Sequence, residues 1–247
     1  MVAKPQWSGA GIVQGFFSPK AGSELMQETL DEWFKEISVP SIVKENVVTL
    51  ASTWKAANPA YPKQNMILYE MPDLAPMRER LENYPTRADG NLETEFRILA
   101  LEQYYETEKH PKDATTTIIY AAMQPGPGGE ADLDRWYREE HNEQMSKEPA
   151  WKRTIRYRLL FQTRNDGKEP QGYDFLASHE FGEGNQLGKD VQPLQPMTDW
   201  TKKAMSECKA IDAAIYHKVD PSLEILVQAS RSHANFPQMA SFTPSPN

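Results

Sequence analysis

The chain has 247 residues, 39% of them hydrophobic and 25% charged, with a formal net charge of −8. That length holds one large domain or two of about 100–150 residues, and the acidic surface repels phosphates and anionic lipid, which excludes nucleic acid and membrane as expected partners. A single cysteine, Cys208, excludes an intrachain disulfide and cannot by itself build a zinc site. The N-terminus carries no apolar signal core and no segment nears the ~20 apolar residues of a membrane span, so a cytoplasmic location is expected.

Along the chain, a first strand is expected over Gly11–Ser18, stopped by Pro19, which cannot donate to a ladder. A helix over Ser23–Ile37 follows, with an acidic residue in the first turn that suits the positive end of the helix dipole. Strands are expected over Asn46–Trp54 and Asn65–Met71, a second helix over Leu74–Asn83 and a strand over Phe96–Glu106. The same order then returns: strand Thr116–Met123, helix Glu130–Ser146, strands Thr154–Thr163 and Tyr173–Phe181, helix Thr198–Lys209 and strand Ala213–Val219.

The recurrence extends to residues. Leu30-Asp31-Glu32-Trp33-Phe34-Lys35-Glu36 in the first half answers Leu133-Asp134-Arg135-Trp136-Tyr137-Arg138-Glu139 in the second, each preceded by an apolar run, a proline and a glycine-bearing turn. Tyr69 in the first half takes the place of His179 in the second, and Ser38 the place of His141. Each half reads as βαββαβ, the ferredoxin-like unit: a four-stranded antiparallel sheet with both helices on one face and an apolar face left to cover. The expected fold is therefore α+β, two fused ferredoxin-like repeats packed face to face as an intrachain pseudo-dimeric α+β barrel. The first repeat is expected over residues 8–110, the second over 111–228, and a polar, proline-bearing tail over 229–247. A monomer or a homodimer binding a small-molecule substrate is expected.

Pro125-Gly126-Pro127-Gly128-Gly129-Glu130, Leu133-Asp134-Arg135-Trp136-Tyr137 with Glu140-His141, and Pro149-Ala150-Trp151 opening the next strand resemble an EthD-type dimeric α+β barrel domain, in its tandem two-copy fungal form. The resemblance covers nearly all of both halves and stops at about Pro221. It implies small-molecule chemistry without an organic cofactor or a metal, as in related polyketide cyclases, decarboxylases, dehydratases and cofactor-free quinone-forming oxygenases. Ala150 stands where the family has glycine.

Three residues are the expected catalytic groups. His141 shares a helix face with Leu133 and Tyr137, which carries its imidazole toward the barrel interior or mouth, where it can act as acid or base near neutrality. His179 pairs with it if its strand face points into the cavity, and Tyr157 offers a phenol to a developing oxyanion. Tyr137, Tyr120, Tyr216 and Tyr69 are the expected substrate-binding side chains. Glu140, Arg153, Arg156 and Arg158 read as solvated charges, and Trp136 as a core anchor. His179-Glu180-Phe181-Gly182-Glu183 resembles a metal-binding string, but Gly182 and Gly184 argue against the helix that would align it, so no metal is expected.

The expected function is a cofactor-independent lyase or cyclase of secondary metabolism that moves protons on a phenolic, polyketide-like molecule in dehydration, decarboxylation or cyclisation. The alternatives are a cofactor-free monooxygenase forming quinones and a non-catalytic small-molecule-binding or stress protein.

Overall fold

Branched and aromatic residues in alternation give the described residues eight strands. The computed structural model describes residues 7–20, 48–80 and 92–219. The strands are β1 (Gly11–Pro19), β2 (Leu50–Ala56), β3 (Asn65–Met71), β4 (Leu92–Tyr105), β5 (Thr117–Pro125), β6 (Trp151–Arg164), β7 (Phe175–Phe181) and β8 (Cys208–Lys218). Helix α1 (Ala75–Arg80) follows β3; α2 (Glu130–Trp136), a π-helical turn (Tyr137–His141) and α3 (Asn142–Met145) run without a break after β5; α4 (Asp199–Ser206) precedes β8. The helix expected over Ser23–Ile37, the tail 229–247 and the places of Trp33 and Ser38 lie outside the described residues. Strands β4 and β6 are longer than the sequence suggests: the added residues of β4, from Leu92, pair with β1, and those at the start of β6, from Trp151, pair with β7.

The strands close into a barrel in the order β1-β3-β2-β8-β5-β7-β6-β4, every neighbouring pair antiparallel. The first-half strands stand in the order β4-β1-β3-β2 and the second-half strands in the corresponding order β8-β5-β7-β6. The seams differ in length. β4 and β6 pair from Glu95↔Arg164 to Tyr105↔Thr154, whereas β2 and β8 pair only from Trp54↔Lys218 to Ala56↔Tyr216. Closure removes the sheet edges that would otherwise present unpaired backbone groups.

Closure also buries both faces of the sheet. The inward face gathers Ile12, Phe16, Trp54, Ile118, Tyr157 and Leu176 from both halves into one core. The outward face of the first half packs Val13, Ile67, Tyr69 and Ile98 with Leu74 and Met77 at α1. The outward face of the second half packs Met123, Phe175 and Ala177 under Leu133, Trp136 and Tyr137. In the register, Tyr69 stands opposite Val13 and His179 opposite Ile119. Gly11 is required by a close approach, since a Cβ there would lie 2.3 Å from the Leu99 carbonyl oxygen.

One end of the barrel is filled by a buried ionic network. The Arg97 Nε donates to Glu95 at 2.7 Å and its Nη1 to the Tyr120 hydroxyl at 2.5 Å. Gln162 and Arg164 donate to the same Glu95 carboxylate at 2.8 and 3.0 Å. Beside them Lys63 and the Tyr61 hydroxyl both reach Asp212 at 2.7 Å. Arg97 is 1% exposed, so its charge is supported by these partners rather than by water. Arg97→Leu is expected to leave Glu95 buried without its nearest counter-charge and to lower unfolding free energy by about 3 kcal/mol in urea titration.

Ala150, in the turn that opens β6, has a φ of 60°, in the left-handed region that costs a side chain with a Cβ. The turn is nonetheless built: Trp151 N donates to Glu148 O and Gly182 N to Ala150 O. Ala150→Gly is expected to raise stability by roughly 0.5–1 kcal/mol, the strain relieved exceeding the backbone entropy that glycine adds to the unfolded chain; a lower thermal midpoint would contradict this.

Candidate active site

The two histidines singled out by the sequence lie side by side, their ring centroids 5.3 Å apart and nearly perpendicular. They meet outside the barrel, between the second-half sheet and its helices. β7 decides this. Phe175, Ala177, His179 and Phe181 belong to the helix-side clusters or pocket, while Leu176, Ser178 and Glu180 line the barrel interior. The expectation that His141 reaches the chamber between the sheets is therefore corrected: the helix packs its apolar face on the outward side of the sheet, and its histidine follows.

The π-helical turn sets the His141 geometry. The Asn142 N–H bonds the Tyr137 carbonyl five residues back, widening the helix by one residue where such turns often mark functional sites. His141 thus stacks on Trp136, with centroids 4.2 Å apart at 23°, and meets the Tyr137 ring edge-on at 5.0 Å. Trp136 is held in turn by Glu140, which accepts from its indole N–H at 3.2 Å and from the Thr198 and Thr201 hydroxyls at 2.6 and 3.0 Å. Glu140 is therefore not a free surface charge; it ties the π-helical turn to the start of α4.

The His179 Nδ1 lies 2.9 Å from the Thr154 hydroxyl, and Thr154 accepts from the Trp151 indole at 3.3 Å. The Nδ1 of His141 is buried without a hydrogen-bond partner, and no described protein group bonds the Nε2 of either ring. Burial pushes both imidazoles below the usual histidine range, His179 to about 3 and His141 well down, helped by the Arg156 charge and, for His141, by the neighbouring ring. Both rings are uncharged at neutral pH.

Arg156 is 2% exposed, and the solvated reading of it fails. It donates to Asp134 at 2.7 Å and Gln103 at 3.0 Å, its guanidinium lies 4.2 Å from the Tyr137 ring centre, and its Nη2 hydrogen-bonds no protein group. Arg153 is likewise buried, in an ion pair with Glu180 at 3.0 Å.

The two histidines, with Trp136 and Tyr137, border a cavity of about 630 Å³. Ile119, Ala121 and Ala213 form its sheet wall, Met145 and Trp136 its helix wall, and the segment 186–197 closes it with Leu187, Val191 and Leu194. That segment has no hydrophobic period and gave no signal in the sequence. Of the expected tyrosines only Tyr137 lines this cavity; its hydroxyl lies 3.4 Å from Met123 Sδ, and burial pushes its pKa up to about 12. Tyr157 and Tyr120 face the barrel interior. Tyr216 is buried there with its hydroxyl donating to the Lys63 carbonyl at 2.7 Å, and Tyr69 sits in the first-half outward core. Among the described residues no three histidine, cysteine or acidic side chains are grouped to hold a metal ion.

The histidine pair ties stability to pH. Below about pH 6.5 the unfolded chain takes a proton on each imidazole while folded His179 takes one only near pH 3, so stability falls as pH falls through that window. His179→Gln is expected to flatten the slope by about 1 kcal/mol per pH unit between pH 6 and 4, measured by urea titration across pH.

No family model matches the sequence, and no curated protein does. Among solved structures, an "anthrone oxidase-like protein" superposes with a TM-score of 0.53 at 10% identity, covering 87% of this chain and 92% of its own. A putative monooxygenase from Lactobacillus acidophilus NCFM superposes with a TM-score of 0.50 at 11% identity, covering 85% of this chain and 94% of its own. At these identities the likeness is one of fold. The chain shares the dimeric α+β barrel fold of these proteins, and no helix among its described residues is long and apolar enough to cross a membrane.

Proposed function

We propose that the cavity between the second-half sheet and its helices is the active site of an enzyme that removes a proton from a phenolic or enolisable, polyketide-like small molecule. The reading rests on one arrangement: two uncharged imidazoles, His141 and His179, that meet on the lining of an apolar chamber of about 630 Å³. Such a chamber admits a flat molecule of two or three rings. In the empty site, burial and the Arg156 charge keep protons off both rings. When a substrate loses its proton to an imidazole, an anion forms in contact with the new cation and near Arg156. The pair offsets the burial cost that opposed protonation before. The Tyr137 hydroxyl, held protonated, offers a hydrogen bond to the same anion.

Loss of water, loss of carbon dioxide and ring closure all begin with that anion. A second reading takes it to dioxygen, and the names of the structural neighbours, anthrone oxidase-like and putative monooxygenase, favour it. For anthrone the balance is one molecule of substrate and one of dioxygen giving anthraquinone and water. The anion supplies the electrons, one oxygen atom stays on carbon and the other leaves in water. We also read the two halves as fused ferredoxin-like repeats, supported by their matching strand order and by the register of Tyr69 and His179. Of these repeats, only the second carries the histidine pair.

Anthrone is the probe for the oxygenase reading, since it carries no group that the lyase reading could expel. Quinone formation is followed by absorbance and dioxygen by electrode, and His141→Ala or His179→Ala is expected to lower kcat/KM about 100-fold or more with an unchanged circular dichroism spectrum. The acid limb of kcat/KM should fall below pH 6.5. Wild-type turnover retained in both folded variants would remove the pair from the mechanism. Turnover of an enolisable substrate without dioxygen uptake would leave the acid–base reading and dismiss the oxygenase.

A further inference from the structure

The barrel interior contains a second cavity, of about 290 Å³, separated from the histidine pocket by the thickness of one sheet. Its open end is ringed by paired charges, Lys112 with Glu70 and Arg153 with Glu180. Its floor is the Tyr120 ring, whose hydroxyl Arg97 already occupies. Ile12, Ile118, Ile155, Leu176 and Trp54 make the walls apolar, and the Trp54 indole is satisfied by Ser52 at 2.8 Å.

Two polar atoms on this cavity are left over. Gln14 is 1% exposed, and its Oε1 has no hydrogen-bond partner, while its amide nitrogen lies 3.2 Å from Met66 Sδ. The Tyr157 hydroxyl bonds no described group, and burial together with the Glu70 and Glu180 charges keeps it protonated. A buried carbonyl oxygen without a donor costs about 1–3 kcal/mol, which a ligand supplying an O–H recovers. The carboxylates at the open end each have a cation, and the third cation of the lining, Lys218, lies over the Trp54 ring at 5.5 Å, so the cavity asks for no charge. At about 290 Å³ it sits at the small end of the range for ligand sites, roughly 300–1,000 Å³.

We propose that the barrel interior is a binding site for a small uncharged one-ring phenol, whose hydroxyl donates to Gln14 Oε1 and accepts from the Tyr157 hydroxyl while its ring packs on Ile118 and Leu176. The site is independent of the acid–base reading of the outer pocket. Its wall is shared with that pocket: along β7, Ser178 and Glu180 face the phenol site while His179 and Phe181 face the histidine cavity.

Calorimetric titration of the full chain with phenol and with anisole tests it. Phenol is expected to bind at least about fivefold more tightly than anisole, which has no O–H to give Gln14. Tyr157→Phe and Gln14→Leu should each weaken phenol about fivefold, and Ala213→Phe, which fills the outer pocket, should leave its Kd within about twofold. Absence of phenol binding up to about 10 mM in the wild-type chain would overturn the proposal. So would equal binding of phenol and anisole, or phenol binding lost in Ala213→Phe and unmoved by Tyr157→Phe. The phenol–anisole comparison needs no variant, so it stands even where a substitution disturbs folding.

Discussion

Closure of the barrel is the constraint on which the other features depend. An open four-stranded sheet with helices on one side must leave its second face to solvent or to a partner. Here β4 pairs along β6 and β2 along β8, so both halves bury that face against each other within one chain. Once the sheet is closed, every strand has two buried sides, and the strict alternation of side chains assigns each residue to one of two compartments. Neighbours in sequence then serve different chambers, one strand apart.

The two compartments have different chemistry because they are closed by different means. The barrel interior is narrow, and one end is filled by the Glu95–Arg97 network with its tyrosines, which leaves a small cavity toward the other end. The helix-side space of the second half is wider, because the π-helical turn and the segment 186–197 hold the helices and the sheet apart over a larger volume. Apolar walls around that space do two things at once. They enclose a space of about 630 Å³, and they deny the histidines the water that would let them ionise.

Glu140, Thr154 and Arg156, which lie off the cavity lining, hold this arrangement. Glu140 fastens Trp136, and Trp136 carries the stacked His141 ring. Thr154 fixes the His179 ring from the neighbouring strand. Arg156, anchored by Asp134, contributes a fixed positive charge close to both rings. In the sequence Glu140 and Arg156 looked like ordinary surface charges and Thr154 like an unremarked strand residue, since a charge buried by tertiary packing has the same local sequence as one left in water.

Much of the framework was legible in the sequence. Strand runs and the proline and glycine turns located the elements, because these signals are local. The same reading singled out His141 and His179 together. It could not place them, since period-two alternation says that two faces exist without saying which one a distant helix will cover. That assignment belongs to packing: the helix-side face of β7 received His179, the barrel-side face of β6 received Tyr157, and a pair of groups expected to work together lies on opposite sides of one sheet.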